Sequence, residues 1–440
     1  MNSVAQKNIT DLEYGYQFLS NLLEKRMQTY RQDNEYELVL GQKPQLENGT
    51  SAFGKFVKEN QLNIAEYITL LIAFAPHYHP NLLKELIQSA ITMDGDFPEL
   101  GCVQGKQFRG LLPSGETVIY LLAGSDTQKR FQVQQMFDYQ HFFYKQDILH
   151  VEEAPVGEPK MSGKLILSPD YIELFSKGKI PKPKFSQKFP AKEIKTEMVW
   201  TDIVLPDSVK WKVKNLQNWI QHNDVLLNEW EMGRRMRSGY VALFHGLSGT
   251  GKTITACMLG KYTGRDVFKI DLSTVVSKYI GETEKNLSSL FDKAENKKWI
   301  LFFDEADALF GKRTGVRDAH DKYANQEVSY LLQRIEQFSG LIILASNLKS
   351  NIDDAFLRRF NEIIHFPMPN RREREEIWKK AFPRILKDKM AKTGNTDVFR
   401  RASKYELSGG HIINAVQFAC LKYLGEKSPH MPYELSLIHI

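Results

Sequence analysis

Residues Gly246-Leu247-Ser248-Gly249-Thr250-Gly251-Lys252-Thr253 fit G-x-x-x-x-G-K-[ST] at every fixed position. The motif constrains the fold because it works only as the turn between a strand and a helix. Both flanks comply. An apolar run, Tyr240-Val241-Ala242-Leu243-Phe244, precedes it, and a helix-compatible stretch from Ile254 to Lys261 follows. Glycines let the backbone curl so that successive N–H groups face phosphate oxygens, and the helix N-terminus adds a favourable dipole. Lys252 can reach the β- and γ-phosphates, and the Thr253 hydroxyl can ligate Mg²⁺. Gly246 to Ile254 therefore reads as a phosphate-binding loop.

A second constellation lies downstream. Trp299-Ile300-Leu301-Phe302-Phe303 reads as a buried strand that ends in Asp304 and Glu305. Asp304 can hold the Mg²⁺ shell, and Glu305 can orient or deprotonate an attacking water. A third apolar run, Leu341 to Ser346, ends in Asn347, whose amide can bond both a γ-phosphate and the lytic water. In open α/β sheets ligands bind at the carboxyl ends of the strands, so the three run-ends should converge. Strand candidates at 240–244, 266–270, 299–303, 341–345 and 362–366 alternate with helix-like text, the pattern of a parallel sheet. After Pro369 the text turns helical, over Arg371 to Phe382 and His411 to Leu424. The expected fold is thus an α/β P-loop NTPase sheet with a C-terminal helical lid.

Charge divides the chain. The net charge is +6, yet residues 1–165 hold 15 Lys and Arg against 20 Asp and Glu, leaving the remainder positive by 11. An acidic N-terminal part is a poor partner for nucleic acid, so a docking or oligomer-shaping role is favoured over a DNA-reading one. Helix-like stretches at 11–32, 52–59, 64–75 and 81–91, with the apolar run Glu116 to Leu122 after a Pro-Ser-Gly turn, suggest a mainly α domain containing a strand. Interleaved lysines and prolines between 177 and 198 suit an extended linker. The expected division is a docking domain over 1–165, a linker over 166–199, the nucleotide-binding sheet over 200–368 and a lid over 369–434. Three isolated cysteines, a polar N-terminus and no membrane-length apolar run fit a reduced, cytoplasmic chain without a membrane segment.

From about Trp200 to about Leu424 the motifs, taken in order, resemble the AAA+ ATPase family, whose ring hexamers remodel proteins. The resemblance implies ATP and Mg²⁺ as ligands, with Gly246–Thr253 as Walker A, Asp304-Glu305 as Walker B and Asn347 as sensor 1. Arg358 and Arg359 fall where the family keeps the arginine that reaches a neighbour's γ-phosphate, and either could be that finger. Tyr279-Ile280-Gly281 resembles the pore-loop tip that grips a polypeptide substrate, and 311–325 a second pore-facing loop. Gly410 would open the lid helix that touches nucleotide, and Ile203 with Val204 would meet adenine. Within the family, the acidic N-terminal part, the linker and Trp200–Pro206 resemble a bacterial subgroup associated with phage-tail-like contractile injection systems.

Two function classes follow from the resemblance: a ring ATPase that threads or remodels a protein, and a nucleotide-dependent assembly scaffold that recruits a partner without threading. The six residues Leu435 to Ile440 read as a translated library adaptor, so the lid is expected to be truncated.

Overall fold

The computed structural model describes residues 3–31, 51–85, 100–186, 189–271, 282–307, 329–347, 357–392 and 397–426. The chain divides into two compact units, Met1–Lys182 and Pro183–Ile440.

The first unit is mainly helical. It contains α1 (Ser3–Arg31), α2 (Ala52–Glu59), α3 (Ile64–Tyr78), α4 (Gly115–Ala123), α5 (Thr127–Gln134), α6 (Phe142–Lys145) and α7 (Pro169–Lys177). Two short antiparallel pairs accompany them: β1 (Val103–Gln104) with β2 (Leu111–Leu112), and β3 (Leu149–Val151) with β4 (Leu165–Leu167). Leu12, Tyr16, Leu19 and Leu23 recur at helical spacing on α1 and are buried in one core with Phe53, Tyr67, Leu71, Phe74 and Phe175.

The apolar run 116–122, expected to include a strand, is helical. The Ser114 hydroxyl accepts from the Thr117 N–H at 3.2 Å, and the Thr117 hydroxyl accepts from the Ser114 N–H at 2.9 Å. This reciprocal cap satisfies two backbone donors at the helix start and outweighs the β preference of Val118 and Ile119. Of the expected helix at 81–91, only 81–85 is among the described residues, helical over 82–85.

The linker expected over 166–199 is also corrected. Residues 169–177 form α7 within the first unit, and β5 (Ala191–Ile194) is the outer strand of the second unit's sheet. Ala191 is fully buried there, with Phe189 just before it packed edge-on against Phe268. An outer strand tolerates the lysines and the nearby proline that made the segment read as a linker, because one side of its backbone carries no ladder.

The second unit is built on that sheet. Its strands are β5, β6 (Tyr240–His245), β7 (Val267–Asp271), β8 (Ile300–Asp304), β9 (Leu341–Ser346) and β10 (Glu362–His365). They lie in the order β10-β6-β9-β8-β7-β5, parallel except for β5. All five strand candidates read from the sequence are present. Successive strand residues face opposite sides. One face places Leu243, Ile270, Leu301, Phe303 and Leu344 against α10 (Glu282–Asn296) and the helix at 329–337. The other sets Phe244, Ile300, Phe302 and Ile343 against α8 (Asp207–Asp224) and α9 (Lys252–Thr263). Because the central strands are covered on both sides, they read as continuous apolar runs rather than alternating ones.

Beyond the sheet come α11 (Arg371–Ala381), α12 (Arg384–Lys392), α13 (Val398–Ala402) and α14 (Gly409–Glu426), packed around Trp378 and Ile412. Asn370 caps α11 reciprocally with Glu373. Arg374 is buried with its guanidinium donating to the Ser403 and Pro369 carbonyls, which ties α11 to α13. Among the described residues no helix is long and apolar enough to cross a membrane.

Candidate nucleotide-binding site

Parallel strands bring their carboxyl ends to one edge of the sheet. His245 at the end of β6 is in register with Ser346 on β9, and Phe303 on β8 with Leu344 on β9. The loop after β6, the two acids after β8 and Asn347 after β9 therefore meet. A cavity of about 440 Å³ opens there, lined by Ser248 to Ile254, Asp304, Glu305 and Asn347. That volume lies within the range of small-molecule sites.

The loop is shaped by close approach. A Cβ at Gly246 would lie 2.1 Å from the Phe366 carbonyl oxygen. Gly249 has φ +75°, and a Cβ there would meet Ser408 Oγ at 2.5 Å. Thr250 Oγ1 donates to the Leu247 carbonyl at 2.8 Å and closes the turn. Lys252 opens α9 after Gly251, and its Nζ donates to the Gly246 and Leu247 carbonyls at 2.6 and 3.0 Å and to Asn347 Oδ1 at 3.0 Å. Burial pulls the Lys252 pKa below the ordinary lysine value, while the charges of Asp304 and Asp307 push it back up. A cation held at the centre of a ring of backbone dipoles, over a curl that only glycine fits, is a cradle for phosphate oxygens.

Beside it, Asp304 closes β8, and its Oδ1 accepts from the Glu305 N–H at 3.1 Å. Glu305 adopts φ +54°, a left-handed conformation costing a non-glycine residue about 1–3 kcal/mol. The Ala306 N–H donates to the Ala345 carbonyl at 2.8 Å, so β9 holds the turn in which Glu305 is strained. Glu305 is exposed at the cavity wall. Asp304 with the Thr253 hydroxyl offers the hard oxygen donors that suit Mg²⁺, and the donor set fits that ion. Among the described residues no cluster of three or more His, Cys, Asp or Glu is arranged for a metal.

The lid closes one side. The Gly410 N–H donates to the Gly249 carbonyl at 2.9 Å, and a Cβ on Gly410 would come 3.1 Å from Gly249 Cα. Ile203 and Val204 line the cavity together with Ile377 and Ile413 of the lid and contribute apolar wall to it. Arg358 and Arg359 do not line the cavity; both are exposed, and Arg359 is ion-paired with Glu336. Tyr279, Ile280 and Gly281, the segment 311–325 and residues 435–440 lie outside the described residues.

Three participants were not read from the sequence. Asp307 has a buried Oδ1 without a hydrogen-bond partner among the described residues, and its charge acts on Lys252. Its place in Asp304-Glu305-Ala306-Asp307 was the available signal. Ser408 against Gly249 and Lys269 against Asp304 had no signal, since both depend on tertiary approach.

A parallel sheet with helices on both faces, a phosphate-cradling loop and an acidic strand end together define a P-loop nucleotide-binding fold. Residues 242–368 match the family model described as the ATPase family associated with various cellular activities, AAA. An uncharacterized AAA family ATPase of Sinorhizobium fredii is 36% identical over 129 residues, 29% of this chain and 38% of that one. Proteasome-activating nucleotidase 1 of Haloferax volcanii is 33% identical over 181 residues, covering 40% and 43%. Cell division protein C of Sulfolobus acidocaldarius is 27% identical over 205 residues, covering 44% and 54%. The chain thus spans between 38% and 54% of the length of these relatives.

Proposed function

We propose that this protein hydrolyses Mg²⁺-bound ATP, assembles with copies of itself into a ring, taken to be a hexamer, and uses the cycle to remodel or thread a polypeptide. The observation that carries the reading is the meeting of Lys252 Nζ with Asn347 Oδ1 at 3.0 Å, beside Asp304 and Glu305, where three strands end. In this reading Lys252 and the loop N–H groups, from Gly246 to Ile254, bind the phosphates. Thr253 and Asp304 hold the ion, which when bound neutralises charge on the phosphates. Glu305 takes the proton of the attacking water, and Asn347 orients that water against the γ-phosphate. Ile203 and Val204 cover the base, and Gly410 couples the lid to the loop.

Arg358 or Arg359 completes a neighbouring protomer's site. Arg358 is favoured because Arg359 is engaged by Glu336. Tyr279, Ile280 and Gly281 grip the substrate in the pore. The names of the Haloferax relative and of 26S proteasome subunit RPT4 of Saccharomyces cerevisiae, 33% identical over 162 residues, favour a protein over a nucleic acid as substrate. Association with contractile injection systems is the narrower reading, and it rests on the acidic N-terminal part and Trp200–Pro206 alone. A cytoplasmic location accompanies it.

Glu305→Gln tests the proposal. The variant should retain ATP, lose at least about 100-fold in turnover, and assemble with nucleotide to about six times the 50.8 kDa chain mass. Undiminished hydrolysis sinks the catalytic assignment, and a monomer under saturating nucleotide sinks the ring.

A further inference from the structure

Asp304 is engaged at both carboxylate oxygens. While Oδ1 accepts from the Glu305 N–H, Oδ2 accepts from Lys269 Nζ at 2.6 Å. Lys269 lies on β7 among the buried residues Val267, Phe268 and Ile270. Its neighbours Phe268 and Ile270 are fully buried on one face, and Val267 is buried on the other, the face Lys269 shares. Its register partner on β8, Phe302, is fully buried, whereas the Lys269 side chain keeps about a third of its surface exposed at the site's edge of the sheet. An ammonium at that position is stabilised by a counter-charge, and Asp304 supplies it.

The other lysine of the site does not serve Asp304 in this way. Lys252 Nζ is spoken for by the Gly246 and Leu247 carbonyls and by Asn347. Lys269 moreover does not line the cavity, so its ammonium acts on the acid from behind and not on a bound nucleotide. Both partners of the pair are about one-third exposed, so solvent weakens the attraction and the bond can exchange.

We infer that Lys269 is a positioning residue that competes with the divalent cation for Asp304. It holds the carboxylate ready at the strand end, and it must release or share Oδ2 when Asp304 ligates the ion. A fixed positive charge beside that carboxylate also repels the divalent ion. Lys269 therefore sets the Mg²⁺ concentration at which the site loads, and it speeds the ion's departure with product. The inference rests on the reading of Asp304 as a magnesium ligand.

The test measures binding of a fluorescent N-methylanthraniloyl ADP to the full chain, in EDTA and across a Mg²⁺ titration. Lys269→Met should lower the Mg²⁺ needed for half-maximal enhancement of binding about fivefold or more. Its affinity in EDTA should be equal to or lower than that of the unsubstituted protein, because Asp304 then faces the phosphates without its counter-charge. Lys269→Arg keeps the charge and grips a carboxylate with two donors, so its Mg²⁺ requirement should equal or exceed that of the unsubstituted protein. This second arm decides the matter even where the methionine variant does not fold. A lower Mg²⁺ requirement in Lys269→Arg, or a folded Lys269→Met with an unchanged or higher one, overturns the inference alone. An unsubstituted protein that binds the ADP analogue indifferently to Mg²⁺ overturns the proposed function and this inference with it.

Discussion

Arg358 and Arg359 are adjacent, both charged and both exposed, yet their surroundings differ. The Arg359 guanidinium is paired with Glu336, whereas Arg358 has no ion pair among the described residues. A side chain that must extend to another protomer's phosphate is better supplied by the one not already engaged. Arg358→Ala should therefore lower turnover by about 10³-fold or more while leaving nucleotide binding intact, and Arg359→Ala should cost less than about tenfold. Steady-state hydrolysis with a parallel binding titration checks both, and the reverse ranking would transfer the role to Arg359. The sequence marked this pair through a resemblance but could not choose between its members. Glu336 lies 23 residues away, and only the fold makes it a partner.

At the scale of elements, the five parallel strands were legible because buried parallel strands are continuous apolar runs, and α11 and α14, though not α12 or α13, because the text after Pro369 turns helical over 371–382 and 411–424. Elements set by local hydrogen bonds or by tertiary packing were less so. The 116–122 run carries β-branched residues but is a helix, decided by the two hydroxyls of Ser114 and Thr117. Strand β5 carries linker composition but buries Ala191 against the sheet. In the first unit, helix placement rests on Asn8, a fully buried polar residue on α1 that no periodicity would single out. Its Nδ2 donates to the Leu174 and Phe175 carbonyls at 3.2 and 3.0 Å, and its Oδ1 accepts from the Ala52 and Phe53 N–H groups at 2.7 and 3.3 Å. One amide thus joins α1, α2 and α7. Asn8→Ala leaves buried groups on two helices without partners and should destabilise this unit by about 2–4 kcal/mol. Denaturant unfolding followed by probes in each unit should show the first transition shifted and the second in place. A change below about 0.5 kcal/mol would mean that water replaces the amide.

At the scale of the molecule, one compact unit carries the candidate nucleotide site, and the other carries an acidic balance and its own core. Whether the cycle does mechanical work on a polypeptide separates the two functional classes read from the sequence. Tyr279→Ala should abolish remodelling of a substrate while sparing ATP hydrolysis, since an aromatic grip acts on the substrate and not on the phosphates. Unfolding of a tagged reporter, measured beside hydrolysis, would show this; remodelling that survives the substitution would remove Tyr279 from the grip, and an unsubstituted protein that assembles and recruits without unfolding the reporter would favour the scaffold. The sequence alone marked the glycine-rich loop motif, the acids at the end of an apolar run and the positions of the sheet's five parallel strands along the chain. These are local patterns, with each residue acting beside its neighbours in the chain. Only the tertiary structure decided which distant groups share the site: Asn347 on Lys252, Lys269 on Asp304, the lid's Gly410 on Gly249. The first two arise because parallel strands in register bring their carboxyl ends together, and the third because the lid packs on the loop; linear spacing encodes neither approach.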